Sequence, residues 1–138
     1  MATKSPTQNF ITGNVIEMEA EAEVKAKRLV KLGTAPGQVL ETAGVADIVA
    51  GVSLNYAAAG ARVQIQFGGI AEVECKSAIA YLDQVVPDAG GDGLARSFTS
   101  AGATAKSCGQ AGGTTTTAEG EIQKVWLRTI NVNGPANS

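Results

Sequence analysis

Residues 61–75 read ARVQIQFGGIAEVEC, and their alternation is the strongest structural signal in the chain. Val63, Ile65 and Phe67 share one parity with Ala71, Val73 and Cys75, while Arg62, Gln64, Gln66, Glu72 and Glu74 take the other. Successive side chains of a strand point to opposite faces, so this period of two marks a strand with one face in a core. The parity survives Gly68 and Gly69. Glycine pairs in strands mark bends or close backbone approaches, so one strand bent at Gly68-Gly69 is expected.

Strand and turn signals continue on both sides. Asp47–Leu54 reads as a short strand, and Ala57-Ala58-Ala59-Gly60 as the connection that follows. Downstream, Ile79–Val86 reads as a strand ending at Pro87, and Asp88-Ala89-Gly90-Gly91-Asp92-Gly93 as a tight turn. Upstream, Ile16, Met18, Ala20, Ala22, Val24 and Ala26 alternate with Glu17, Glu19, Glu21, Glu23, Lys25 and Lys27. A helix competes here, because Glu21/Lys25 and Glu23/Lys27 are spaced i,i+4. Winding at about 100° per residue would scatter both sets, whereas a strand puts all six apolar residues on one face. A strand with a turn among the alanines is therefore expected.

Arg28–Leu32, Gln38–Thr42 and Glu121–Val132 complete the strand signals, with Gly33–Gly37 as a turn. About eight short strands with frequent turns predict an all-β fold, a small β-barrel or sandwich of short antiparallel strands with an extended N-terminal arm. The 138 residues fit one domain. Residues 1–13 form the arm, 14–132 the β domain and 133–138 a polar tail. Residues 97–118 are mostly Thr, Ser, Ala and Gly, with Lys106 as their single charge. Such a stretch buries too little apolar area to offset its ordering entropy, so a long surface loop is expected.

Composition narrows the function classes. Net charge is −2 from 11 basic and 13 acidic residues, and no basic cluster exceeds Lys25-Ala26-Lys27-Arg28. Phosphate recognition needs a row of Lys and Arg, so nucleic acid is not an expected partner. No apolar run approaches the roughly 20 residues of a membrane span. MATKSPTQNF has no apolar signal segment, so no membrane association and synthesis in a cytoplasm are expected.

The chain has no histidine, which removes Ser-His-Asp and Cys-His nucleophile systems and His-based metal sites. Glu17, Glu19, Glu21 and Glu23 along a strand share one solvated face, without the unequal environments that separate catalytic pKa values. Asp83, Asp88 and Asp92 do not fit a calcium loop and read as turn stabilisers. Gly90-Gly91-Asp92-Gly93 lacks the Lys-Ser/Thr of a phosphate loop. Cys75 reads as a core residue, and Cys108 as an exposed free thiol. No catalytic, cofactor-binding or metal residue is assigned, and no cofactor is expected.

Phe10, Tyr56, Phe67, Tyr81, Phe98 and Trp126 are the only aromatic residues. The core must rest on Val, Ile, Leu and Ala, and a core this lean often leans on a partner. The Phe10-Ile11 pair, a few residues after Pro6, is costly to expose in a free tail. Pro6, Phe10 and Ile11 are therefore candidate contacts to a neighbouring molecule.

Read whole, the chain resembles the small capsid cement (decoration) proteins of tailed bacteriophages, the DUF2190 group. The likeness lies in the order of weak motifs: residues 24–32 (VKAKRLVKL), 48–53 (IVAGVS), 57–65 (AAAGARVQI), 69–73 (GIAEV) and 83–88 (DQVVPD). Residues 108–111 (CGQA) and 125–127 (VWL) close the pattern. The resemblance implies a non-enzymatic structural protein of the virion. It would bind the major capsid protein on the capsid exterior of an assembled bacteriophage head, often as a homotrimer, and stabilise the shell. Residues 1–13, anchored by Phe10 and Ile11, are the expected clamp. The alternative is a β-rich receptor- or carbohydrate-binding module displayed on a particle, which exposed aromatics in a groove would favour, but this chain has few aromatics to spare.

Overall fold

The computed structural model describes residues 14–98 and 105–132 and forms ten strands from them. They are β1 (Val15–Ala20), β2 (Leu29–Leu32), β3 (Gln38–Glu41), β4 (Gly51–Ser53) and β5 (Arg62–Gln66), then β6 (Ile70–Glu74), β7 (Gln84–Pro87), β8 (Ala95–Ser97), β9 (Ser107–Ala111) and β10 (Ile122–Val132). No helix among the described residues is long and apolar enough to cross a membrane. The N-terminal arm with Pro6, Phe10 and Ile11, and the tail at 133–138, lie outside the described residues.

The first five strands close a barrel in the order β1-β3-β2-β4-β5. Closure is made by β1 and β5, antiparallel from Val15↔Gln66 to Glu19↔Arg62. The expected all-antiparallel pairing fails at one place. β1 and β3 run parallel, with Glu19 opposite Gln38 and Ala20 opposite Val39. The reversal follows from chain order, because β2 separates these strands in sequence and pairs antiparallel with β3. The remaining strands form a sheet in the order β6-β10-β9-β7-β8. Its two outer strands meet through a Cys75↔Ala95 bridge, reinforced by Lys76 N–H donating to Ala95 O at 2.7 Å. That contact covers sheet edges that would otherwise template aggregation.

Two cores result. Ala20, Val24, Val30, Val39, Val63 and Ile65 fill the barrel, with Met18 against them. Ala71, Val73, Cys75, Val85, Ala111 and Val125 line the other, together with Leu29, Val49 and Val52 from the barrel wall. Leu29 and Val30 are adjacent in β2, so they face opposite sides, and both are fully buried. A chain poor in large side chains thus gains apolar burial by using both faces of one strand.

Arg28 crosses the junction. Its Nη1 donates to Asp92 O at 2.8 Å, its Nη2 pairs with Glu74 Oε1 at 3.3 Å, and its backbone N–H donates to Ser53 Oγ. One buried cation therefore ties the barrel, β6 and the β7–β8 turn.

Several expectations change. Residues 61–75 are two strands in different sheets, not one bent strand. Gly68-Gly69 is the crossing between them, with Gly69 in the left-handed region at φ 75°. Gly68 is packed so closely that a Cβ there would stand 2.5 Å from Asn14 Oδ1. Inward parity nevertheless holds for Val63, Ile65, Ala71, Val73 and Cys75, which are all buried, but not for Phe67, which is exposed beside the crossing. The expected strand Ile79–Val86 shortens to Gln84–Pro87, and residues 79–83 form a turn. Ile16, read as inward-facing, is half exposed.

The segment 97–118 is not a single surface loop. Ser107–Ala111 is an interior strand between β10 and β7. A Cβ on Gly109 would stand 2.9 Å from Val125 Cγ1 and 3.0 Å from the Trp126 carbonyl carbon. Small residues are required there, and the two-sided ladder compensates their low β-propensity. Cys108 is consequently buried, with its Sγ 3.4 Å from Val85 O, rather than an exposed thiol.

Candidate binding groove

The threonine run that closes the 97–118 segment serves as a hydrogen-bonding frame. Thr116 Oγ1 accepts from Ile79 N–H at 2.9 Å, and Thr116 N–H donates to Ile79 O at 3.0 Å. Thr115 Oγ1 accepts from Tyr81 N–H at 3.1 Å. Gln123, fully buried beneath, donates from Nε2 to Ile79 O and Thr114 O and accepts at Oε1 from Gly113 N–H. Hydroxyls and an amide thus satisfy backbone groups that a ladder would otherwise serve.

The turn held this way carries Leu82 at φ 77°, a left-handed backbone that bulky side chains rarely adopt. Leu82 N–H donates to Ala111 O at 2.8 Å, and Ala111 N–H donates to Asp83 O at 2.8 Å, pinning the turn to the end of β9. Asp83 Oδ2 accepts from Ala80 N–H and Asp88 Oδ2 from Gly90 N–H, the turn-stabilising role expected of these aspartates. Among the described residues, His, Cys, Asp and Glu do not gather into a metal-sized group.

Tyr81 and Leu82 project from this turn, 57% and 55% exposed, and Trp126 on β10 is 58% exposed. With Gln110, Ala111 and Gly112 they line a groove of about 290 Å³. Trp126 lies opposite Ile70 on β6 and Gln110 on β9, so an outward row of Ile70, Trp126 and Gln110 crosses three strands. Gln110 Nε2 donates to Leu82 O at 3.1 Å, joining the row to the turn. The indole rests over Gly112, where a Cβ would stand 2.5 Å from Trp126 Cδ1.

Apolar side chains are exposed elsewhere too. Leu32 and Ile48, the most exposed of these at 66% and 62%, line a depression of about 500 Å³ beside the Lys31–Asp47 pair. Another depression holds Leu54 and Ile70 beside the Lys27–Glu72 pair. The Tyr81–Trp126 groove differs in presenting two aromatic rings.

Pro6, Phe10 and Ile11 lie outside the described residues, and Gly68 and Gly69 sit at the sheet crossing rather than in this groove. Sequence reasoning missed Tyr81, Leu82 and Trp126 as surface residues. One signal was present: Trp126 shares parity with Lys124, opposite Gln123 and Val125.

Fold and surface together define an all-β module of two packed β units, with its most distinctive chemistry in an aromatic groove. The structure is similar in fold to the head fiber gp8.5 N base of bacteriophage phi29, with a TM-score of 0.65 and 18% identity over 86% of this chain and 96% of that one. No family profile and no curated protein matches the chain.

Proposed function

We propose that this protein is a non-catalytic structural component of a bacteriophage head. It binds the major capsid protein on the outer surface of the assembled shell as a homotrimer, and stabilises that shell. The observation that carries this reading is the fold likeness to the phi29 head fiber base, which spans nearly the whole of both chains. It supports the same kind of role as the resemblance to head decoration proteins.

The physics of decoration suits this surface. Each copy needs only a modest interface, because many copies on a closed shell add avidity. Exposed Leu32 and Ile48 offer apolar contact area on the barrel. Asn14 O accepts from Phe67 N–H at 2.9 Å, which fixes the first described residue at the sheet crossing. In this reading Phe10 and Ile11 anchor on the shell from there.

The test is to mix the purified protein with undecorated heads and measure copies bound per head and the temperature at which the heads rupture. Saturable occupancy with a raised rupture temperature is expected. Absence of binding with an unchanged rupture temperature would overturn the reading. Deleting residues 1–13 should lower occupancy; full occupancy would remove the arm from the proposal.

A further inference from the structure

We propose that the Tyr81–Trp126 groove is a binding site for a neutral saccharide, an activity separate from attachment to a shell. Four features of the groove lead there.

The first is the platform. Trp126 presents its indole to solvent, and Gly112 beneath lets the ring lie close to the backbone. An aromatic face offers a broad apolar surface at small conformational cost, and the C–H face of a sugar ring packs on such a surface while its hydroxyls bond at the rim. The second is polarity without charge. None of the six residues lining the groove is ionic: Tyr81 supplies a phenol, and Gln110 an amide whose Nε2 is held by Leu82 O, leaving Oε1 as an acceptor. Beyond Gly112 the groove meets a second depression of about 350 Å³, where Thr114 adds a hydroxyl and Lys124 the first charge.

The third is strain placed where folding does not require it. A left-handed backbone is unfavourable for any residue but glycine, yet at Leu82 the chain carries a large apolar side chain that is more than half exposed. Glycine would satisfy the turn. Strain that the fold does not need marks a position kept for what its side chain touches.

The fourth is size. Small-ligand sites occupy about 300–1,000 Å³, and the two adjoining depressions of about 290 and 350 Å³ fall in that range when taken together. A stable protein interface uses roughly 20–30 residues a side, far more than this groove supplies.

Trp126 is the sole tryptophan, so its emission reports the site directly. The full chain is screened on a glycan array, then titrated with chitotriose, maltotriose and lactose, with heparin oligosaccharide as the anionic comparison. At least one neutral oligosaccharide should give a saturable emission change. Tyr81→Ala should weaken that binding about tenfold. Leu82→Gly should weaken it too while holding or raising the melting temperature, which separates loss of the site from loss of the fold. The proposal is overturned if no neutral saccharide binds, if only the anionic oligosaccharide binds, or if both variants bind like the parent. Loss of head occupancy in these variants, with no saccharide bound by the parent, would assign the groove to the shell instead.

Discussion

Trp126 and Gly112 are in direct contact: the indole of one occupies the space that a side chain on the other would need. They belong to neighbouring segments of the same sheet, and Gly112 N–H donates to Lys124 O at 2.8 Å. Ring position therefore depends on the absence of one carbon atom.

Gly112→Ala should move the indole without unfolding the protein. The obstructing atoms belong to an exposed side chain that has room to swing. The expected result is a red-shifted Trp126 emission and a stability change within about 1 kcal/mol. Unchanged emission would contradict the seating of the ring.

Gly109→Ala makes the opposite case. The new methyl would meet Val125 Cγ1 and the Trp126 carbonyl in the middle of the β9–β10 ladder. Main chain cannot yield there without loss of pairing, so destabilisation of at least about 2 kcal/mol is expected by urea titration. Equal stability of the two alanine variants would show that β9 is not packed as described.

Arg28→Ala should cost about 3 kcal/mol, because it removes a buried cation and strands Asp92 O and Glu74 at the junction of the two β units. Glu74→Gln should cost no more than about 1 kcal/mol, since the carboxylate is partly solvated and an amide still accepts. Thermal melts of the two variants would reveal this asymmetry; equal losses would reduce the junction to a simple ion pair.

Neither cysteine should react with a thiol reagent in the native protein. Cys75 and Cys108 are both buried, and burial raises the Cys75 thiol above its ordinary range. The thiolate is the reactive form, so protection is twofold at Cys75. Titration with an aromatic disulfide reagent should count no thiols before denaturation and both afterwards. Rapid modification of one thiol in the folded state would expose Cys108.

Stability should peak on the acid side of neutrality. Burial raises the Glu41 carboxyl, against the Lys25 N–H and the Arg28 and Lys25 charges that lower it. Its ionised form therefore opposes folding at neutral pH, and protonation as pH falls through the raised value adds stability. Asp47 goes the other way: burial raises it, but the N–H groups of Ala43 and Gly44 and the Lys31 ammonium outweigh that and hold it low. Glu21 is also held low, first by the Thr34 N–H and then by the Thr34 hydroxyl. The stability these two contribute is present above the ordinary carboxylate range, about pH 4, and is lost as pH falls through their lowered values. Urea midpoints from pH 3 to 8 (roughly the carboxylate range and above) should rise and then fall on acidification. Glu41→Gln should abolish the rise; an unaltered profile would remove Glu41 from the explanation.

What the sequence determined by itself is local: the all-β class, the inward parity of Val63, Ile65, Ala71, Val73 and Cys75, and the final strand through Val125. Each rests on a period of two within a few residues, which the chain carries wherever its strands go. Tertiary structure decided the rest. A bent strand and a crossing between two sheets leave the same parity at Gly68-Gly69, so only the partners of β5 and β6 distinguish them. Ser107–Ala111 carries no apolar alternation, because its strand is held by ladders to β7 and β10 and by the space that Gly109 leaves. The groove joins Tyr81 and Leu82 to Gln110, Gly112 and Trp126, segments far apart in the chain. Their meeting depends on hydrogen bonds from Thr115, Thr116 and Gln123 that no local pattern announces.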